Sequence, residues 1–170
     1  VARGLTRFVA RKNSIAALKE ALEEVEGGSG QVVGIVGEAG VGKSRLLHEF
    51  KNQLPKNKYA YLDGRCLSFG SSISYLPFLD ILRCYFEIKE GDREFIIKEK
   101  MAEKLTELDE KLEYTLSPFR DLLSLKVENE DFIKLGPQQK RERTFEAIRD
   151  LFIRVSQEKL LILAVEDMHW

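Results

Sequence analysis

The chain has 170 residues, 44% hydrophobic and 32% charged, with a formal net charge of −1. That length supports one domain with a sizeable core, and the longest apolar run, Leu160 to Val165, is far shorter than the ~20 residues that span a bilayer. A charge so near zero excludes bulk electrostatic attraction to nucleic acid or to an anionic membrane surface.

Along the chain, Asn13 reads as the N-cap of a helix whose Ile15, Leu18, Leu22 and Val25 share one face, ended by Gly27-Gly28-Ser29-Gly30. Gln31 to Val36 is a short β-branched run without polar alternation, the pattern of a strand buried on both faces. Gly37-Glu38-Ala39-Gly40-Val41-Gly42-Lys43-Ser44 follows at once and fits the phosphate-loop pattern G-x-x-x-x-G-K-[ST] in full. Leu46, Leu47, Phe50 and Leu54 then recur at helical spacing until Pro55. Tyr59 to Cys66 predicts a second strand, Ser68 to Ser74 a loop, and Pro77 opens a helix on Phe78, Ile81, Leu82 and Tyr85.

Between residues 92 and 113, mixed charges surround an apolar stripe of Ile97, Met101, Leu105, Leu108 and Leu112, which predicts one surface helix. Ser117-Pro118 starts a short helix with Phe119, Leu122 and Leu123 inward. Gly136-Pro137 breaks the chain before a longer helix of about residues 138–157 resting on Phe145, Ile148, Leu151, Phe152 and Val155. Its basic residues Lys140, Arg141, Arg143, Arg149 and Arg154 read as a solvated face. The final strand, Leu160 to Val165, ends in the acids Glu166-Asp167. Strands alternating with helices imply an α/β fold with a mostly parallel sheet.

A strand, glycine loop and helix in that order set backbone N–H groups and a positive helix end around a polyphosphate. Gly37, Gly40 and Gly42 permit the backbone angles this needs. Lys43 supplies a compact positive charge for the β and γ phosphates, and the Ser44 hydroxyl is a Mg²⁺ ligand. Glu166 and Asp167 bring two carboxylates to a strand end, one for the metal side and one to polarise the attacking water; which does which is open. His169 and Trp170 read as packing residues. A nucleotide site points to a reducing compartment, so Cys66 and Cys84 are expected as reduced, packed thiols.

Four segments match one pattern together: Phe8-Val9-Ala10-Arg11, Gly34 to Leu46, Tyr75-Leu76-Pro77-Phe78, and Leu163 to Trp170. Over nearly its whole length the chain resembles the ATPase module of the signal-transduction ATPases with numerous domains, related to AAA+ and origin-recognition-type ATPases. Such modules are found beside class III nucleotide cyclases, LuxR/MalT-type regulators and some Ser/Thr kinases. The resemblance implies a three-layer α/β/α P-loop NTPase with sheet order 5-1-4-3-2, cut after the strand bearing the acids, so that its later strands, sensor, lid and arginine finger lie outside this sequence. The unpaired central strands would then leave residues 1–170 marginal unless a neighbouring chain or another strand order fills the gap.

The resemblance also implies a division into residues 1–26, contributing to the adenine pocket, and 27–170, the ATPase core. Val9 and Arg11 would line the base pocket, although Ala10 stands where the family has glycine. The implied cofactor-binding set is completed by Gly37, Glu38, Ala39, Gly40, Val41, Gly42, Lys43, Ser44 and Arg45. Ser44, Glu166 and Asp167 would serve the metal, and Lys43, Glu166 and Asp167 the chemistry.

The function this implies is a cytoplasmic switch that binds ATP or ADP with Mg²⁺, hydrolyses slowly, and acts on neighbouring domains of the same polypeptide or by nucleotide-dependent self-association. No membrane or direct nucleic-acid contact is expected. The alternatives are a DNA-loading ATPase, disfavoured by the charge, and a nucleoside-kinase-type phosphotransferase, for which residues 92–134 offer mixed-charge helices in place of an arginine-rich lid. Asn57-Lys58-Tyr59-Ala60 lacks the aspartate of a guanine-reading N-K-x-D motif.

Overall fold

Residues 11–66 and 76–167 are described by the structure, a computed structural model of the chain. They fall into two units, divided between Lys58 and Tyr59.

The first unit holds α1 (Lys12–Glu26) and α2 (Lys43–Gln53), which pack on each other. The N-cap of α1 is Arg11, whose carbonyl accepts the Ile15 N–H at 3.1 Å, so the helix starts two residues before the expected Asn13 cap. Ile15 is the buried residue of its apolar face, and Leu18, Leu22 and Val25 are half-buried. Gly27 caps the C-terminus, and Glu26 pairs with Lys58 at 2.6 Å. Leu46 and Phe50 are the buried side of α2.

The run Gln31 to Val36 is not a strand. Val32 is fully exposed and Val36 97% exposed, which corrects the expectation of a buried central strand. The reason is physical: a β-branched run gains from extended backbone only when neighbours satisfy its N–H and C=O rows and cover its faces. Among the described residues the sheet consists of two other strands.

Those strands, β1 (Tyr59–Arg65) and β2 (Leu160–Glu166), belong to the second unit and pair in parallel from Tyr59 opposite Leu160 to Arg65 opposite Glu166. They are the second strand and the acid-bearing strand expected from the sequence. Parallel strands need a long crossover, here supplied by helices. These are α3 (Leu76–Tyr85), α4 (Glu94–Leu108), α5 (Leu116–Leu122), α6 (Glu130–Ile133) and α7 (Pro137–Glu158), with a 3-10 turn at Glu110–Thr115.

The predicted 92–113 helix is therefore two pieces. Asp109, extended at φ −170°, ends α4 and accepts the Lys111 N–H at 3.0 Å, so the turn starts on a side-chain cap. The stripe survives the break, because Met101, Leu105, Leu108 and Leu112 are all buried. They join Leu82, Phe86, Phe119, Ala147, Ile148, Leu151 and Val155 in one core, with the Phe86 and Phe119 rings 5.9 Å apart. Thr115 is buried there and gives its hydroxyl proton to the Leu112 carbonyl at 2.6 Å. Pro137 sits in the first turn of α7, and Gln139 Oε1 accepts the Gly136 N–H at 3.0 Å. Phe145, expected inward, is 44% exposed, with the Arg141 guanidinium 5.6 Å from its ring centre.

Both cysteines are free thiols; Cys66 is half-buried, whereas Cys84 is exposed on the outer side of α3, not packed as expected. No helix among the described residues is long and apolar enough to cross a membrane. The Ser68–Ser74 loop lies outside the described residues.

Candidate functional site

The phosphate-loop sequence folds as a turn that feeds directly into α2. Gly40 (φ 78°) and Gly42 (φ 87°) take left-handed conformations that a side chain resists, and Gly42 is the N-cap of α2. A Cβ on Gly37 would lie 3.1 Å from Val41 Cγ2, so that glycine permits the loop's close crossing. The first turn of α2 carries no acidic residue to offset the positive helix end. Leu46 N–H is the one that closes onto Gly42 O, at 3.0 Å, so the amides of Lys43, Ser44 and Arg45 precede the helical ladder.

Two cations hold the loop's carbonyls. Lys43 Nζ donates to Gly37 O at 2.8 Å and to Glu38 O at 2.9 Å, bridging the start of the loop from its far end. Arg11 Nη2 donates to Val41 O. With carbonyl oxygens turned toward cations, planar trans peptides turn the following N–H groups the other way. At Gly40 the loop faces open space, since an added Cβ there would meet nothing within 4 Å. A glycine turn whose following amides stand ahead of the helical ladder suits phosphate oxygens. Ser44 is exposed at the second position of α2, and Arg45 lies along the helix flank with its Nη2 2.6 Å from Glu49 Oε1.

In the second unit the acid pair ends β2. The Glu166 side chain is 12% exposed, its carboxylate 3.8 Å from Arg65 Nε, and its backbone carbonyl accepts the Cys66 N–H at 3.0 Å. Asp167 is exposed and turns into the left-handed region at φ 58°, a conformation aspartate tolerates better than most residues. The chain turns between the two acids, so their environments differ, as the end of a strand predicts. Burial, then the charges of Asp63 and Glu166, push the Tyr61 phenol up to about 12. Asp63, Arg65 and Tyr61 thus share the surroundings of Glu166, a grouping not apparent from the sequence; the strand register that sets Arg65 opposite Glu166 accounts for it.

The basic residues of α7 are tied up locally: Arg143 with Glu146 at 3.0 Å, Arg149 with Asp150 at 2.7 Å, Arg154 with Asp109 at 3.2 Å, and Lys140 with Asp121 at 3.8 Å. Arg141, Arg143 and Arg149 form the solvated face expected, whereas Lys140 and Arg154 are half-buried and pair with acids outside α7. Val9, His169 and Trp170 lie outside the described residues.

The family profile of the AAA ATPase domain matches residues 7–170. The chain belongs to the AAA ATPase domain family. That match covers the phosphate loop and the acid pair in one domain, and makes the chain an α/β, nucleotide-binding ATPase domain of the P-loop class. No curated protein and no solved structure matches it. AAA ATPase domains generally bind ATP or ADP with Mg²⁺, and the loop carries residue types that suit such a ligand: amides ahead of the helical ladder, a lysine, and a hydroxyl one residue on.

Proposed function

We propose that this AAA ATPase domain is a regulatory switch of a multidomain signal-transduction protein, binding ATP and hydrolysing it slowly, with its nucleotide state read by neighbouring domains of the same polypeptide. The observation that carries the reading is the loop itself, with left-handed glycines at 40 and 42 and Lys43 folded onto the carbonyls of Gly37 and Glu38. Lys43 exchanges those carbonyls for the β and γ phosphates, and the loop amides hold the remaining oxygens. By the resemblance, the Ser44 hydroxyl and one carboxylate of the Glu166-Asp167 pair would hold Mg²⁺, and the metal would supply positive charge to offset that developing on the transferred phosphoryl group. The other carboxylate orients water. The two acids differ in surroundings, Glu166 nearly covered and beside a guanidinium and Asp167 exposed, which supports giving them different roles.

The signalling role is supported by the resemblance of Phe8 to Arg11, Gly34 to Leu46 and Leu163 to Trp170 to the corresponding boxes of signal-transduction ATPases. Titration of the chain with Mg·ATP and Mg·ADP tests the binding half, with Lys43→Ala as its control. Saturable binding that Lys43→Ala weakens by at least about 100-fold is expected, the scale of a lost charge-assisted phosphate contact. Equal binding by both proteins, or by neither, ends the proposal. For the switching half, the full-length protein should change its output between ATP and ADP, with turnover well below about 10 per second.

A further inference from the structure

The resemblance assigns Arg11 to the base pocket, and in the structure its side chain reaches the phosphate loop. The guanidinium Nη2 donates to the Val41 carbonyl, in the middle of the phosphate loop. An added Cβ on Gly42 would stand 4.0 Å from the same nitrogen, so the guanidinium lies against the peptide that joins these two residues. The backbone of Arg11 is fixed in turn, because it is the N-cap of α1 and its carbonyl accepts the Ile15 N–H at 3.1 Å. Helix α1 packs on α2, which the loop leads into.

We infer that Arg11 is a positioning residue for phosphate binding: it locks the Val41–Gly42 peptide so that the Gly42 N–H faces the phosphates. The reasoning is stereochemical. In a planar trans peptide the C=O and the next N–H point in opposite directions, so a cation that fixes the Val41 oxygen on one side fixes the Gly42 hydrogen on the other. Gly42, at φ 87°, is where this plane is free to flip, since a glycine gives up little by rotating. A flipped peptide would present a carbonyl oxygen to the phosphates and repel them. Lys43 secures the carbonyls of Gly37 and Glu38, and the crown of the loop is secured from outside, by a helix that starts before the motif. The inference rests on the nucleotide-binding reading above and adds a residue to it.

The test uses Arg11→Ala and Arg11→Lys with two readouts. Amide hydrogen exchange of the unliganded chain over residues 38–44 should rise about tenfold in Arg11→Ala while that of Leu46 to Phe50 in α2 stays unchanged. Competition binding should show Mg·ATP and tripolyphosphate weakened by a similar factor, about tenfold, with adenosine unaffected. Arg11→Lys, which keeps the charge but not the fork, should fall between wild type and Arg11→Ala. It also serves as the working variant if the alanine protein misfolds by circular dichroism. Unchanged loop exchange overturns the inference. So does a loss shared by ATP and adenosine but spared for tripolyphosphate, which would return Arg11 to the base pocket. A wild-type chain that binds neither ATP nor tripolyphosphate defeats the functional reading alone, and the exchange measurement still decides whether Arg11 holds the loop.

Discussion

Gly64→Ala should be among the most damaging single-methyl additions in the second unit. Gly64 lies in β1 opposite Val165, and α3 crosses it so closely that an added Cβ would overlap the Pro77 oxygen outright, lie 2.9 Å from the Pro77 carbonyl carbon and 3.1 Å from Ile81 Cγ1. Real Cβ contacts essentially never fall below 3.0 Å, and the obstructing atoms are backbone of the first turn of α3, which no rotamer change can move. The helix must back away by about 1 Å, against close-packed Leu79, Ile81 and Leu82, all buried. Overpacking of this kind costs about 3 kcal/mol, which for a chain of this size lowers Tm by roughly 10 °C. Gly30→Ala is the matched control: its Cβ would meet nothing within 4 Å and its φ is not left-handed, so a change below about 0.5 kcal/mol is expected. Thermal unfolding followed by circular dichroism decides the matter. A Gly64→Ala protein melting within about 2 °C of wild type would refute the close approach of α3 to β1.

Leu151→Ala removes a side chain with no exposed surface from the centre of the core and should cost about 3 kcal/mol by denaturant titration. Ultraviolet titration of tyrosinate should find Tyr61 and Tyr85 resisting ionisation until about pH 12, chiefly because burial disfavours the phenolate. Their folded pKa lies above the unfolded value of 10.0, so the folded state holds more protons between the two and stability falls as pH climbs through that window. At the acid end the sign reverses. Lys100 and the Lys89 N–H hold Asp92 below its ordinary 3.8, the Lys111 N–H and Arg154 do the same for Asp109, and Lys98 holds Glu128 below 4.5. Their contribution is present at neutral pH and is lost as pH falls through those lowered values, so Tm should hold down to about pH 5 and drop below about pH 4. Amide exchange across residues 31–36 should be fast, and that of α7 slow, in the chain by itself.

Legibility in the sequence followed the range of the interaction that shapes each element. The phosphate loop is local: glycines at fixed offsets, a lysine and a helix start specify it within eight residues, and the structure folds it accordingly, with left-handed angles at Gly40 and Gly42. Helix α7 was legible for the same reason, its Gly136-Pro137 opening and apolar face being encoded side by side. The Asp109 break was readable in principle, since a short acid that caps the next turn competes with helix continuation, but the unbroken apolar stripe from Met101 to Leu112 hid it. Periodicity reports which face is buried, and a kink that keeps the face leaves no trace in it.

Gln31 to Val36 shows the opposite limit. Its valines and isoleucine state a demand for burial and for hydrogen-bonded neighbours, yet they do not carry the partner that meets it. Leu160 to Val165 carries the same demand and does form a strand, because β1 supplies one edge in register and α7 packs on it. The two runs have similar composition and opposite outcomes, so the difference lies in what is adjacent. A strand is a property of a pair, whereas a phosphate loop is a property of a segment. Arg11 sits between these cases. The residue is visible in sequence, but its role depends on a contact across 30 positions with Val41, and only the fold makes that contact. The residues that hold a local motif in working shape are therefore those least legible from the motif itself, and the experiments on Arg11 and Gly64 probe contacts of that kind.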